Sequence, residues 1–250
     1  MIKNDLVQLL RKFEPISLKE MDRVKLMNRV ETKFLFGLDQ LMEILEELMD
    51  DYQVVKIDGN MLPAYRSLYF DNAEFFFYNE HHRERTSRYK VRYRTYVDSN
   101  LSFLEVKHKY KGRTNKKRIK VEDMAQEMPE PHRNFLKELM VPKADLQPVM
   151  MNTYNRITLV AKHAVERLTL DINLNFEFGN KQKELKNIVI AELKQERITR
   201  DSPFYKVVRE KEMRPYRISK YCMGIIHLYG QENIKYNRFK KKLLRLNNYA

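Results

Sequence analysis

Cysteine, glycine and long apolar runs are all scarce in this sequence, and each scarcity excludes a class of protein. The 250 residues include one cysteine, Cys222, so an internal disulfide is excluded and a reducing compartment is expected. With only six glycines, the chain has no glycine-rich phosphate loop and no dinucleotide-binding fingerprint. No run of about 18 apolar residues occurs, so we expect no membrane-spanning helix. The first residues lack the apolar core of a signal peptide, and we therefore expect a cytoplasmic protein.

Positive charge is what the sequence has in abundance. Lys and Arg number 48 against 34 Asp and Glu, which gives a formal net charge of +14. Hydrophobic residues make up 43% of the chain, enough for a sizeable core, so the chain is expected to fold. A folded protein with this charge is expected to bind a polyanion: nucleic acid, an anionic membrane surface or a phosphate-rich small molecule.

The stretch 88–121 predicts three strands that each have one charged face. Residues two apart in a strand point to the same side, so Lys90, Arg92 and Arg94 share a face of the first strand. The next two strands show the same alternation, with Glu105, Lys107 and Lys109 on one and Lys116, Arg118 and Lys120 on the other. Half-buried strands ordinarily expose their charges to water. Three successive cationic faces instead suggest a bound anion.

The remaining pattern predicts an α+β fold. Further strands are indicated over residues 28–36, 52–57, 65–71, 149–161, 164–175 and 187–194. Helices are indicated over residues 4–13, 18–26, 38–48, 133–140, 202–213 and 219–229. About eight strands with short connections favour a closed antiparallel β-barrel with flanking helices, because closure leaves no unpaired edge. We treat 1–250 as a single domain, with N-terminal helices over 1–27 and a basic C-terminal tail over 235–250.

A barrel with a charged interior has to hold water, ions or a charged ligand, because unpaired buried charge is very unfavourable. Short motifs with this charged alternation follow one another along the chain. They are Arg29-Val-Glu31-Thr-Lys33, Ser67-Leu-Tyr69-Phe-Asp71, Lys90-Val-Arg92-Tyr-Arg94, Glu105-Val-Lys107, Lys116-Lys-Arg118, Tyr154-Asn-Arg156, Arg167-Leu-Thr-Leu-Asp171, Glu192-Leu-Lys194 and Ser219-Lys220-Tyr221.

In this order the motifs resemble the VTC-domain family, the polyphosphate polymerase branch of the CYTH-like triphosphate tunnel enzymes. The resemblance runs from about Arg29 to Tyr221. Classical CYTH members open with Glu-x-Glu-x-Lys, whereas Arg29 replaces the first Glu in this sequence. This departure favours the VTC branch over the simple triphosphatases, and it weakens the case for a carboxylate-rich metal site at this end.

The resemblance implies a tunnel enzyme that transfers the terminal phosphoryl group of a nucleoside triphosphate to a growing polyphosphate chain. Arginine forks match phosphate oxygens, and carboxylates are ligands that hard divalent cations prefer. The residues implied in catalysis are Arg92, Arg94, Lys107, Lys116 and Arg156. The residues implied in substrate binding are Lys33, Lys90, Arg118, Tyr154, Arg167, Lys194, Ser219 and Lys220. Glu192 and Glu31 are implied as ligands of a divalent cation, Mn or Mg.

Several alternatives stay open at this point. The chain could be a tunnel triphosphatase, or a non-catalytic module that binds polyphosphate or inositol phosphate. Specific nucleic-acid binding is disfavoured, because Tyr89 and Tyr93 lie on the faces opposite the cations. A separate membrane protein is a possible partner by resemblance only. Simpler roles are also open for single residues: Glu192 and Glu31 as ion-pair partners, Tyr154 as a core aromatic, and Ser219 as a helix cap.

Two further expectations concern residues outside the motifs. Asp171 is expected to orient arginines more than to bind metal. His81 and His82 show no metal-ligand spacing and are expected at the surface.

Overall fold

A curled antiparallel sheet organises the chain. The computed structural model describes residues 2–21, 30–199, 201–230, 232–247 and 249. The strands are β1 (Pro15–Ser17), β2 (Val30–Gly37), β3 (Tyr52–Lys56), β4 (Ala64–Asp71), β5 (Ser87–Tyr96), β6 (Leu101–Tyr110), β7 (Arg113–Val121), β8 (Gln147–Ala161), β9 (Glu166–Phe178), β10 (Lys181–Leu185) and β11 (Ile188–Gln195). The helices are α1 (Ile2–Leu10), α2 (Leu18–Met21), α3 (Leu41–Leu48), α4 (Phe76–His82), α5 (Glu130–Glu138), α6 (Pro203–Glu210), α7 (Lys220–Tyr229) and α8 (Lys240–Asn247), with short 3-10 turns over Leu38–Gln40 and Asn237–Phe239.

The prediction of a closed barrel is wrong, although the α+β class and the antiparallel strands are confirmed. The strands follow the order β2-β11-β9-β8-β4-β5-β6-β7, and within the described residues β2 and β7 are open edges that do not pair with each other. An extended segment, 214–219, runs beside the β2 edge instead. The amide of Tyr216 donates to the carbonyl of Lys33 over 2.6 Å, so part of the exposed edge is paired by a loop.

Alternation along the central strands separates two environments. On one side of β2, β9 and β11, Phe34, Leu170 and Leu193 are fully buried. Helix α3 supplies its apolar stripe to the same cluster, with Leu41, Ile44, Leu45 and Leu48 buried at helical spacing. Helices α1 and α6 complete this covering layer. The other side of the same strands carries the charged residues.

The second apolar cluster lies under α4, α5, α7 and α8. Helix α7 approaches the sheet closely at Gly224, where a Cβ atom would lie 2.0 Å from Met150 Sδ and 2.7 Å from Phe176 Cδ1. Only glycine allows this approach. None of the described helices is long and apolar enough to cross a membrane.

Both ends of the chain differ from expectation. The region predicted as N-terminal helices also contains β1, which pairs in parallel with β3. Arg29 and most of the predicted 18–26 helix lie outside the described residues. The predicted basic tail is a packed element: Phe239, Leu243 and Leu246 are buried in the core. Its basic residues therefore sit on the polar side of an amphipathic helix.

Candidate functional site

The charged sides of the central strands face one another across the curl of the sheet, and we call the space between them the lumen. Its wall is continuous through β4, β5 and β6, where Arg92 lies opposite Glu105, and Lys90 opposite Lys107. Lys107 also reaches across to β2, where its Nζ lies 3.3 Å from Glu31 Oε2. This contact joins strands near the two ends of the sheet, so the lumen is enclosed by side chains where the backbone leaves it open.

Glu105 anchors the first cluster of charges. It is buried, and its Oε2 accepts hydrogen bonds from Arg92 Nε at 3.0 Å and Arg92 Nη2 at 2.7 Å, while Lys116 pairs with Oε1. Arg92 Nη1 also donates to the hydroxyl of Tyr69 over 2.8 Å. Burial would raise the pKa of Glu105, but Arg92, Arg94 and Lys116 outweigh it and hold the pKa well below its usual value. The carboxylate is therefore a fixed negative charge that orients its neighbours.

Asp171 plays the same part for a second cluster. Arg156 binds it through two hydrogen bonds, Nε to Oδ1 at 2.5 Å and Nη2 to Oδ2 at 2.8 Å, and Lys220 at the start of α7 donates to Oδ2. Burial opposes ionisation, but these two cations lower the pKa of Asp171 well below its usual value. Asp171 thus pairs with one arginine, as expected, and with a lysine.

Glu192 and Glu31 form the third cluster. The Glu192 carboxylate lies 2.8 Å from Lys194 Nζ and 3.2 Å from Lys33 Nζ. Burial would raise the pKa of Glu192, yet Lys194 and Lys33 hold it well below its usual value. The same burial would lower the pKa of Lys33, but Glu192 and Glu31 raise it. Both carboxylates predicted to hold metal are thus ion-paired with lysines.

Some donors that face the lumen have no carboxylate partner among the described residues. Arg94 is buried, and its Nε donates to Ser67 Oγ over 3.2 Å while its guanidinium lies over the rings of Tyr65 and Tyr154. Lys90 Nζ donates to Ser219 Oγ over 3.0 Å. The buried hydroxyl of Tyr154 has no hydrogen-bond partner among the described residues. Buried polar groups are normally paired, so the Tyr154 hydroxyl is a donor that is available to a ligand.

The remaining predicted residues lie at the border of the lumen. Arg118 is exposed on the edge strand β7, and its guanidinium carbon is 4.4 Å from the ring centre of Phe103. Arg167 Nη1 lies 3.7 Å from Sδ of Met21, next to α2. Ser219 both caps α7, by accepting from the amide of Cys222 at 3.2 Å, and accepts from Lys90. A substrate contact to Arg118 or Arg167 is therefore a contact at the rim.

Three ionisable side chains of the lumen have pKa values of about 8. Burial, with smaller contributions from Lys33 and Lys107, lowers the pKa of Lys90 to about 8. Burial also lowers the pKa of Lys116 to about 8, although Glu105 opposes the shift. Burial would raise the pKa of Tyr69, but Arg92, Arg94 and Lys90 together lower it to about 8. An anion in the lumen would keep the two lysines protonated.

Sequence reasoning missed one lumen residue, Tyr69, and misplaced two histidines. Tyr69 stands in a quoted motif and shares its strand face with Ser67, which was signal enough to find it. The expectation that His81 and His82 lie at the surface is wrong: His82 is buried, and His81 Nε2 lies 3.3 Å from the carbonyl of Tyr89. Burial, Lys90 and Arg88 lower the pKa of His81 to about 2, so this ring is neutral.

The lumen offers limited ligands for a divalent cation. The described residues contain no group of three or more His, Cys, Asp or Glu side chains placed to hold a metal. Glu192 and Glu31 are nevertheless close enough for each charge to influence the other. One or two carboxylates completed by phosphate oxygens are a usual ligand set for Mg²⁺. The residues therefore fit a metal that arrives with a phosphate ligand, and they do not form a cage of their own.

Comparison with known proteins agrees with this architecture. The family model "VTC domain" matches residues 28–229. No curated protein sequence matches the chain. Among solved structures, a "putative adenylate cyclase" of Bacillus halodurans is 12% identical, aligns over 77% of this chain and 94% of its own, and has a TM-score of 0.50. A "putative adenylyl cyclase" of Hippeastrum, described as having a dominant triphosphatase activity, is 15% identical, with coverages of 79% and 95% and a TM-score of 0.48.

At such low identity the Bacillus structure supports the fold alone. The family match is of a different kind, because it covers most of the chain and includes β2 through α7, the elements that carry the lumen. It also confirms the resemblance that the motifs indicated. The chain belongs to the VTC domain family.

Proposed function

We propose that the protein is a polyphosphate polymerase, which transfers the terminal phosphoryl group of a nucleoside triphosphate to a growing polyphosphate chain. The observation that carries the proposal is the charge of the lumen. Its described lining has nine cations against four carboxylates, an excess of five positive charges. The cations are Lys33, Lys90, Arg92, Arg94, Lys107, Lys116, Arg156, Lys194 and Lys220. A linear phosphate chain supplies many negative charges in a narrow shape, which is what this excess favours.

The proposed reaction needs little covalent work from the protein. A terminal oxygen of the polyphosphate acceptor bonds to the γ-phosphorus, the bond from that phosphorus to the β–γ bridging oxygen breaks, and the nucleoside diphosphate leaves with the electron pair. Arg92 and Arg156 are held in fixed orientations by Glu105 and Asp171, so they can bind phosphate oxygens without reorganising. Arg94 has no carboxylate partner and the Tyr154 hydroxyl has no hydrogen-bond partner among the described residues, so both can donate to phosphate.

A divalent cation fits this proposal at Glu192 and Glu31. Bound there together with phosphate oxygens, Mn or Mg would neutralise charge on the transferred group. Lys33 and Lys194 would then be released from Glu192 to bind phosphate. Replacing Glu192 by Gln should therefore abolish metal-dependent turnover while leaving the binding of metal-free tripolyphosphate intact or stronger. Weaker metal-free binding would contradict the assignment of Glu192 to the metal.

Product analysis tests the reaction class. The protein is incubated with ATP and Mn or Mg, and the products are resolved by chain length. Long-chain polyphosphate is the expected result. Free phosphate as the sole product would replace the proposal with a tunnel triphosphatase. Tight tripolyphosphate binding with no turnover of ATP would replace it with a non-catalytic binding module.

Arg94→Ala tests whether the lumen is the binding site. Arg94 tests binding more cleanly than Arg156 does, because removing Arg156 would take an ion-pair partner from the buried Asp171 carboxylate and destabilise the fold. Losing this charged donor, which has no carboxylate partner among the described residues, should weaken tripolyphosphate binding by about 10-fold to 100-fold, with the fold preserved. Calorimetry measures the affinity. Arg66→Ala, on the exposed side of β4, removes the same charge outside the lumen and should bind as the wild type does.

A further inference from the structure

A second cluster of cations lies where β5 and β6 extend beyond the lumen residues Lys90 and Lys107. Arg88 of β5 lies directly opposite Lys109 of β6, one step along the same strand faces. Two residues along a strand span about 7 Å, so this cross-strand pair lies next to the pair formed by Lys90 and Lys107. Like charges placed directly opposite each other destabilise a sheet. Two such pairs in succession need an explanation outside the sheet itself.

Two other elements bring cations close enough to Arg88 and Lys109 for the charges to influence one another. Arg217 is exposed on the segment 214–219, and Lys242 lies on α8. After burial, the charges of Arg88 and Arg217 are the main influences that lower the pKa of Lys109, and both also lower the pKa of Lys242. We call these four residues, Arg88, Lys109, Arg217 and Lys242, the outer ledge.

Few carboxylates lie near enough to neutralise the positive charge of the outer ledge. Glu31 raises the pKa of Lys109 and Glu84 raises the pKa of Lys242, but in each case burial lowers the pKa by more. The buried Nε of Arg88 has no hydrogen-bond partner among the described residues. Within the lumen the carboxylates hold most cations in place, whereas the ledge cations are left to repel one another. This arrangement is stable chiefly when an anion lies across it.

We propose that the outer ledge is a second phosphate-binding segment, which holds the part of a linear polyphosphate chain that extends beyond the lumen. The inference rests on the proposed function and narrows its substrate to chains longer than the lumen itself binds. Continuity supports this occupant: Lys107 belongs to the lumen, pairs with Glu31 and lies beside Lys109 on the same strand face. A chain leaving the lumen at Lys107 meets the ledge next.

The consequence is a dependence of affinity on chain length. Inorganic tripolyphosphate should use the lumen alone, and long-chain polyphosphate should use the lumen and the ledge. In wild-type protein the long chain should therefore bind more tightly than tripolyphosphate. The double variant Arg88→Ala/Lys109→Ala should bind the long chain about tenfold more weakly than wild type does. This is the effect expected from losing two partly exposed contacts between cations and phosphate. Affinity for tripolyphosphate should be unchanged.

Two further variants complete the test by calorimetry. Arg217→Ala/Lys242→Ala removes the half of the ledge that comes from outside the sheet and should show the same selective loss. Lys56→Ala/Arg66→Ala removes two exposed charges from outer faces and should change neither affinity. Thermal unfolding checks each variant, and Arg88→Ala/Lys109→Ala should be at least as stable as wild type because a like-charge pair is removed.

The outcomes separate this inference from the proposed function. Unchanged long-chain affinity in both ledge variants would overturn the ledge while leaving the lumen assignment standing. An equal loss of affinity for both ligands would also overturn it, because the ledge residues would then act on the lumen. Failure of wild-type protein to bind tripolyphosphate would overturn the proposed function and the ledge with it. A selective loss of single-stranded DNA binding, with polyphosphate binding intact, would assign the ledge to nucleic acid instead.

Discussion

The central strands separate two interiors, one packed mainly with apolar side chains and the other lined with charged ones. On one side, Phe34 and Leu193 pack with Ile44 of α3 and Phe204 of α6. The buried carboxylate on this side, Glu166, accepts hydrogen bonds from the neutral side chains of Tyr52, Gln195 and Ser202. On the other side, neighbouring residues of the same strands, such as Lys33, are engaged in ion pairs. A single step along the chain moves from one interior to the other, because strand side chains alternate.

The difference shows where stability and function are located. Apolar burial contributes about 25 cal/mol per Å² removed from water, so the helix-covered side provides much of the folding free energy. Buried ion pairs often contribute no more than apolar residues of the same volume would. The lumen charges are therefore explained better by an anionic ligand than by the needs of the fold.

The largest expected effect on stability comes from creating a cavity in the apolar core. Phe34 is fully buried and packs edge-to-face against Phe204 at 5.4 Å and Tyr205 at 5.6 Å between ring centres. Phe34→Ala should lower the free energy of unfolding by about 3–5 kcal/mol, measured by urea denaturation. Leu244→Ala, at a side chain that is 56% exposed, should change it by less than about 0.5 kcal/mol. Similar losses in the two variants would contradict the contrast between covered core and surface.

A smaller stability effect, with an opposite effect on binding, should follow when a lumen carboxylate is neutralised. Glu105→Gln leaves Arg92 and Lys116 without their shared counter-charge and should cost about 1–3 kcal/mol. Added tripolyphosphate should raise the melting temperature of this variant more than that of wild type, because the lumen gains net positive charge. The exposed pair partner Glu184 provides the control, since Glu184→Gln should alter neither quantity. An equal ligand-induced shift in wild type and Glu105→Gln would count against Glu105 as an internal counter-ion.

The mildest perturbation is pH. Lys90, Lys116 and Tyr69 have pKa values of about 8, so raising the pH from 7 to 9 removes most of the two positive charges and adds most of one negative charge. Tripolyphosphate affinity should fall by about tenfold or more over this range. Lys90→Gln should show a shallower fall, and since it binds the same ligand it corrects for ionisation of the ligand itself. Parallel titration curves for the two proteins would remove Lys90 from the binding site.

Stability without ligand should move in the opposite direction. The folded-state pKa values of Lys90 and Lys116 lie below the ordinary lysine value of 10.5, so between about pH 8 and 10.5 the unfolded chain binds more protons than the folded one. The contribution of these lysines to stability therefore increases as pH rises through that window. Urea denaturation of Lys90→Gln and wild type at pH 7 and pH 10 isolates the contribution of Lys90, and wild type should gain stability relative to the variant at the higher pH.

Much of the lumen could be predicted from the sequence. Alternation alone placed Lys90, Arg92 and Arg94 on one face, and the motif order indicated which distant strands join them. The pairing of charges could not be predicted. Lys107 meets Glu31, 76 positions earlier in the chain, and Lys220 meets Asp171 across 49 positions, because the sheet curls and α7 returns to it. Neither contact leaves a local pattern.

Strand period and composition by themselves therefore determined the two-sided wall and the cationic side of that wall. Only the tertiary structure decided how the lumen is enclosed. Within the described chain β2 and β7 do not pair with each other, the segment 214–219 pairs with β2, and the ion pair of Lys107 with Glu31 spans the opening between the strands. The physical reason is that alternation depends on a residue and its neighbours along one strand, whereas closure depends on the accumulated twist and register of the whole sheet.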